Sequence, residues 1–141
     1  MNTLTNYQLR SRAKDHFDAV AATPGIDQFC SSLDWTLPAH EAFIPDHPLV
    51  LLESEHGFVN LARGFNPRIG RYLQPLEASW CLASPFVGPD MESLVGEFAQ
   101  SCRQDLLDWD LLYLSGIPAE SPCLDALITS FGSHFRIAMG H

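Results

Sequence analysis

Three groups of residues in this chain are of types that do chemistry. Glu53, Glu55 and His56 place carboxylates beside an imidazole. These are the usual proton carriers, and together they could act as general acid and base, although a solvated turn accounts for the same residues. In "DWDLLYLSGIPAESP" the residues Tyr113, Ser115 and Glu120 lie at or beyond the C-terminal end of an apolar run. Open α/β sheets place ligands there, and a tyrosine so placed suits protonation of a leaving thiolate. Tyr113 is equally a β-favoured core residue. The third group is His40, Glu41, Asp46 and His47 in "HEAFIPDH", the densest set of potential metal ligands. It lacks the His-Glu-x-x-His spacing and has no accompanying cysteine pair, so it reads as surface or loop-capping residues, and no metal site is expected. Cys123, at the second position of an expected helix, could have its thiol pKa lowered by the helix dipole. With no histidine near it in sequence, a buried thiol is the plainer reading. Trp35, Trp80 and Trp109 are assigned to the core or to an interface.

The elements that must hold these residues follow from periodicity. In "YQLRSRAKDHFDAVAA" the apolar residues Leu9, Ala13, Phe17, Val20 and Ala21 recur at helical intervals, and Thr23-Pro24-Gly25 ends the run. A shorter helix is expected within "SSLDWTLPAHEAF", starting near Pro38 or kinked there. "HPLVLLES" and "GFVNLARGF" flank Glu55-His56-Gly57 as a β-hairpin, and "RYLQPLEA" adds a third strand to an antiparallel meander, with Pro75 at an edge position or a bulge. "WCLASPFVGPD" then leads away from the sheet. Met91, Leu94, Val95, Phe98, Ala99 and Cys102 form one helical stripe behind Asp90 as N-cap. "WDLLYLSG" reads as a strand covered on both faces and paired in parallel. Ser121 caps a helix with Pro122 at its first position, and Leu124, Leu127, Ile128, Phe131 and Phe135 share a face. "FRIAMGH" supplies a last strand. The expected order is α-α-β-β-β-α-β-α-β, a mixed α/β sheet with helices packed on it and a crossover helix before the parallel strand.

Bulk properties bound the function. A chain of 141 residues with 46% hydrophobic residues is read as one domain spanning 1–141, with material for a real core. A formal net charge of −9 would repel a phosphate backbone or an anionic bilayer, which argues against nucleic acid and membrane partners. The N-terminal stretch lacks the apolar centre of a signal peptide, so a cytoplasmic location is expected. Cys30, Cys81, Cys102 and Cys123 are widely separated and read as reduced thiols.

The stretches "FCSSLDWTLPAHEAF", "LVLLESEHGFVNLARG" and "LLDWDLLYLSGIPAESPCLDALI", with the order of elements, resemble the N-terminal half of CelD-type members of the GNAT acyltransferase superfamily, which are associated with cellulose biosynthesis. The resemblance runs from about Phe17 to the end of the chain and rests on core and turn patterns rather than a catalytic signature. It implies a sheet splayed between two parallel strands, with acyl-coenzyme A in the splay. Were acetyl-CoA or another acyl-CoA bound, Val87, Gly88, Ser115 and Gly116 would line it, and Tyr113 and Glu53 would be the catalytic candidates. The family's pyrophosphate loop is glycine-rich, because backbone N–H groups must approach the phosphates closely. Here "SWCLASPFVGPDMES" has one glycine, Gly88, while Pro85 and Pro89 lack N–H donors and Asp90 and Glu92 bring negative charge to the helix start. The reading is therefore a non-catalytic GNAT-like domain without a cofactor, paired as a homodimer or with a GNAT-like partner domain. In the relatives one half covers the other, and a lone half would expose a sheet edge. The alternatives are a free-standing N-acyltransferase and a small-molecule binding protein that uses the sheet cleft.

Overall fold

Alternation along the two longest strands decides the layers. The computed structural model describes residues 1–140, with five helices and six strands among them. In β2 (Leu49–Ser54) and β3 (Gly57–Asn66), Val50, Leu52, Val59 and Leu61 point to one face of the sheet, and Leu51, Phe58 and Ala62 to the other. The first set packs with Leu73 and Phe86 against Leu94, Val95 and Phe98 of α4 (Met91–Arg103) and Leu127 and Phe131 of α5 (Pro122–Phe131). The second packs against Leu9 of α1 (Asn6–Ser11), Val20 of α2 (Ala13–Ala22) and Leu37 of α3 (Leu33–Phe43). The result is an open mixed sheet with helices on both faces.

The sheet order is β1-β2-β3-β4-β6, where β1 is Asn2–Leu4, β4 is Gly70–Pro75 and β6 is Leu111–Leu112. β1 to β4 pair antiparallel, and β4 pairs parallel with β6. The expected meander and crossover helix are present. β3 is long enough to carry two partners along one edge. Leu61–Asn66 face β4, and Phe58 and Val59 face β5 (Phe86–Val87), after residues 76–85 have looped out of the sheet. "WCLASPFVGPD" therefore returns to the sheet rather than leaving it. Pro75 ends β4 opposite Leu61.

Several expectations are corrected. The N-terminal run is two helices broken at Arg12, and its buried face is Leu9, His16, Ala19 and Val20, whereas Ala13, Phe17 and Ala21 are exposed. Polar partners explain the difference. His16 meets Asn60, and Thr23 donates to the Ala19 carbonyl at 2.7 Å, so polar residues can take inward positions. α3 starts at Leu33 rather than near Pro38, which lies inside the helix. Both Pro38 and Asp34 are exposed, so the carbonyl that loses its partner is left to water. β1 and β5 were not anticipated; each is too short to show a period. No strand forms over residues 135–140, and His141 of that expected strand lies outside the described residues. Among the described residues β6 accordingly pairs with β4 alone, and the run expected to be covered on both faces leaves Leu111 42% and Tyr113 47% exposed. In α5, Cys123 and Ala126 are buried while Ile128 is exposed.

The caps follow the sequence closely. Ser121 Oγ accepts from Leu124 N at 3.2 Å and donates to the Pro118 carbonyl at 2.8 Å. Ser121→Ala is expected to lower stability by about 1 kcal/mol, read as a shift in urea midpoint with an unchanged slope.

Candidate functional site

The segment between β5 and α4 is where the family resemblance would put a coenzyme diphosphate, and its backbone is already engaged. The Gly88 N–H donates to Thr23 Oγ1 at 2.8 Å, and the Gly88 carbonyl accepts from the same hydroxyl at 3.3 Å. Pro89 has no N–H. Asp90 Oδ1 accepts from Ser93 N at 3.0 Å, which caps α4. That backbone hydrogen bond, followed by the positive charge of His56 when protonated, holds the Asp90 carboxyl below its ordinary pKa. Gly88 also lies against the hairpin turn: a Cβ placed on it would sit 2.0 Å from the His56 carbonyl oxygen, and one on Gly57 would sit 2.1 Å from the Val87 carbonyl oxygen. Val87 itself is buried.

At the other end of β5, Gly116 adopts φ +72° and packs so closely on Ala83 that an added Cβ would lie 2.0 Å from its carbonyl oxygen. Ser115 Oγ is buried beside it without a hydrogen-bond partner among the described residues. The coenzyme-lining candidates thus flank one short strand, Ser115 and Gly116 at its entry and Val87 and Gly88 at its exit. At Gly88 and at Gly116 an added Cβ would meet a main-chain oxygen at 2.0 Å.

The two catalytic candidates are not neighbours. Glu53 stands opposite Phe58 at the hairpin end of the sheet, whereas Tyr113 bonds through its N–H to the Leu73 carbonyl, level with Arg63 on β3. Three strand spacings and five residues of rise put them roughly 20 Å apart. Glu53 instead accepts from Arg12 at 2.6 Å, an ion pair made possible by the break between α1 and α2.

What the fold does assemble is a groove beside the β2–β3 turn. Its volume is about 660 Å³, and Arg12, Asp15, Asp18, Glu53, Glu55 and His56 are among its lining residues. Next to it the His56 imidazole lies along α4. His56 Nδ1 is 3.7 Å from Asp90 Oδ2, and His56 Nε2 is 3.6 Å from Glu97 Oε1 and 3.8 Å from Glu55 Oε1. Asp90 and Glu97 are seven residues apart in sequence, two helical turns, so their side chains reach the two ends of one ring. The sequence singled out Glu55 and His56. It gave no sign of Asp90 and Glu97 as their partners, because only tertiary packing lays α4 against the hairpin.

The remaining candidates have structural roles. His40 Nε2 donates to the His47 carbonyl at 2.7 Å, His47 Nε2 lies 3.2 Å from the Tyr72 hydroxyl, and Glu41 pairs with Arg10 at 3.3 Å. Burial pushes the Cys123 thiol up to about 12, opposite to the activating shift a helix start can give. His16, which periodicity passed over, is buried to 1% exposure between α2 and β3, with Asn60 Nδ2 donating to its Nε2 at 2.7 Å and Phe58 packed at 5.2 Å. Burial lowers its pKa to about 4. Among the described residues no helix is long and apolar enough to cross a membrane. The chain matches no protein-family model, no curated protein and no solved structure.

Proposed function

We propose that this chain is a non-catalytic GNAT-like module that binds no acyl-coenzyme A and acts by association, first of all with a second copy of itself. The observation that carries the reading is the state of the loop before α4. Its one glycine N–H is already donated to Thr23, the next residue is a proline, and the first turn carries the charges of Asp90 and Glu92. A diphosphate there would have to displace Thr23 and face two carboxylates, both unfavourable.

The free edge of the sheet supports association. Among the described residues β6 bonds to β4 on one side only, and Leu106, Leu111, Tyr113, Ile137 and Met139 leave apolar surface exposed in the same C-terminal part of the chain. An edge strand with unpaired amides is a template for another strand, and a two-fold axis beside β6 would pair two such edges antiparallel.

Calorimetric titration with acetyl-CoA is expected to show no binding at millimolar ligand, and light scattering is expected to give a dimer that Tyr113→Lys shifts toward monomer. Micromolar coenzyme binding would replace this reading with an acyltransferase, and a strict monomer at high concentration would end the self-association claim. The groove favours a second reading. Its lining holds Asp15, Asp18, Glu53 and Glu55 against Arg12, so it suits a small cationic ligand, which a thermal-shift screen of amines against Glu53→Gln would reveal.

A further inference from the structure

We propose that Glu55, His56 and Glu97 form a binding site for a divalent metal ion of the zinc class, with Asp90 orienting the imidazole from behind. The donors come from two elements fixed against each other. Glu55 and His56 are the two residues of the β2–β3 turn, clamped by the Ser54–Gly57 pair and by the contact of Gly57 with the β5 exit. Glu97 stands on α4, with Leu94, Val95 and Phe98 fully buried around it.

The geometry suits an ion. One oxygen from each glutamate and His56 Nε2 lie within 4.8 Å of one another, with 3.6 Å from the nitrogen to Glu97 and 3.8 Å to Glu55. Tetrahedral zinc with bonds of about 2.0–2.1 Å separates its donors by roughly 3.3–3.4 Å. The two nitrogen-to-oxygen distances need to shorten by a few tenths of an ångström and the two glutamate oxygens by up to roughly 1.4 Å, and Glu55, 84% exposed at its side chain, has the freedom to supply that movement. Imidazole with carboxylates is the donor set of zinc and related transition ions, whereas magnesium and calcium prefer oxygen alone.

Two further observations point to a cation rather than to a chance cluster. Glu97 Oε2 is buried and has no hydrogen-bond partner among the described residues although the side chain as a whole is 34% exposed, so one oxygen of this carboxylate lacks the donor that normally accompanies burial. Asp90 divides its labour as well: Oδ1 caps α4 while Oδ2 faces the nitrogen of His56 that does not point at the glutamates. A carboxylate behind a ligating histidine fixes the tautomer and raises the basicity of the metal-bound nitrogen. Three carboxylates converge on one imidazole, and when that imidazole is neutral the cluster carries three uncompensated charges that a divalent ion would offset. With three protein donors, a fourth position is left to water, and Glu55 and His56 also line the groove, so the ion would stand at its edge. Nothing in this requires the chain to self-associate or to lack a coenzyme.

The test is competition of the full chain with a chromophoric chelator for Zn²⁺, repeated with Mg²⁺. One zinc per chain is expected, bound far more tightly than magnesium. His56→Ala and Glu97→Gln should each abolish that site, and Asp90→Asn, which retains the capping oxygen, should weaken it by about tenfold or more. Zinc should also raise the Tm of the parent chain and leave that of His56→Ala unchanged, and Tm and circular dichroism without metal would show that each variant folds. Absence of zinc binding at millimolar ion, zinc binding undiminished in both His56→Ala and Glu97→Gln, or equal affinity for magnesium would each overturn the assignment.

Discussion

Replacing Gly88 by alanine is expected to cost roughly 3 kcal/mol or more of folding stability, although a methyl group is all that is added. The reason is a close crossing of two backbones. Phe58 and Val87 are paired, and one step further Gly57 and Gly88 meet where the end of β5 passes the hairpin turn. The added Cβ would lie 2.0 Å from the His56 carbonyl oxygen and 3.1 Å from Gly57 Cα. These are main-chain atoms, so no side chain can swing aside. Moving the strand out breaks the Gly88–Thr23 hydrogen bonds and opens the buried contacts of Phe86 and Val87. Gly96→Ala is the control. It lies in α4 with nothing within 4 Å of its would-be Cβ, and alanine there should be neutral or stabilise by up to about 1 kcal/mol. Urea unfolding of both variants checks the contrast. A loss under about 1 kcal/mol for Gly88→Ala would mean that the crossing does not hold the turn in place.

Acidification should weaken the fold through His16, by about 2.5 kcal/mol between about pH 7.5 and about pH 4.5. The imidazole is 1% exposed and its folded pKa is lowered by burial from 6.5 to about 4. Above pH 6.5 both the folded and the unfolded chain carry it neutral, and it has no pH-linked effect. As pH falls below 6.5 the unfolded chain takes up a proton that the folded chain refuses, so stability declines until the folded form titrates near 4. Asn60 donates to Nε2, a bond that protonation of that nitrogen would remove, and Phe58 offers no acceptor. His16→Gln keeps a polar group opposite Asn60 without titrating. Urea midpoints of the two chains should therefore converge at acid pH relative to neutral pH. Parallel pH profiles would show that His16 is not the linked group.

How much was legible in the sequence differs by element. α4 and its face from Met91 to Cys102 were plain, because a long amphipathic stripe behind an Asp cap is a local signal. The hairpin was as plain, since two β-rich runs flanked a short turn. β1, β5 and the length of β6 were not, because a strand of two or three residues has no period of its own and exists only where a neighbour supplies hydrogen bonds. The face of α2 was misjudged for a related reason: His16 turns inward because Asn60, far away in sequence, receives it.

The same division holds for the candidate sites. The Asp90 cap of α4 and the shortage of N–H donors before it were visible in the order Gly88-Pro89-Asp90, since a missing N–H and a fixed charge are properties of the residues themselves. The Arg12–Glu53 pair, the separation of Glu53 from Tyr113, and the gathering of Glu55, His56, Asp90 and Glu97 were not. Residue types and spacing determine what each segment can offer to water or to a ligand. Which offers meet is decided by the packing of α4 across the hairpin, because that contact depends on the shapes of two distant apolar faces and leaves no mark on the residues in between.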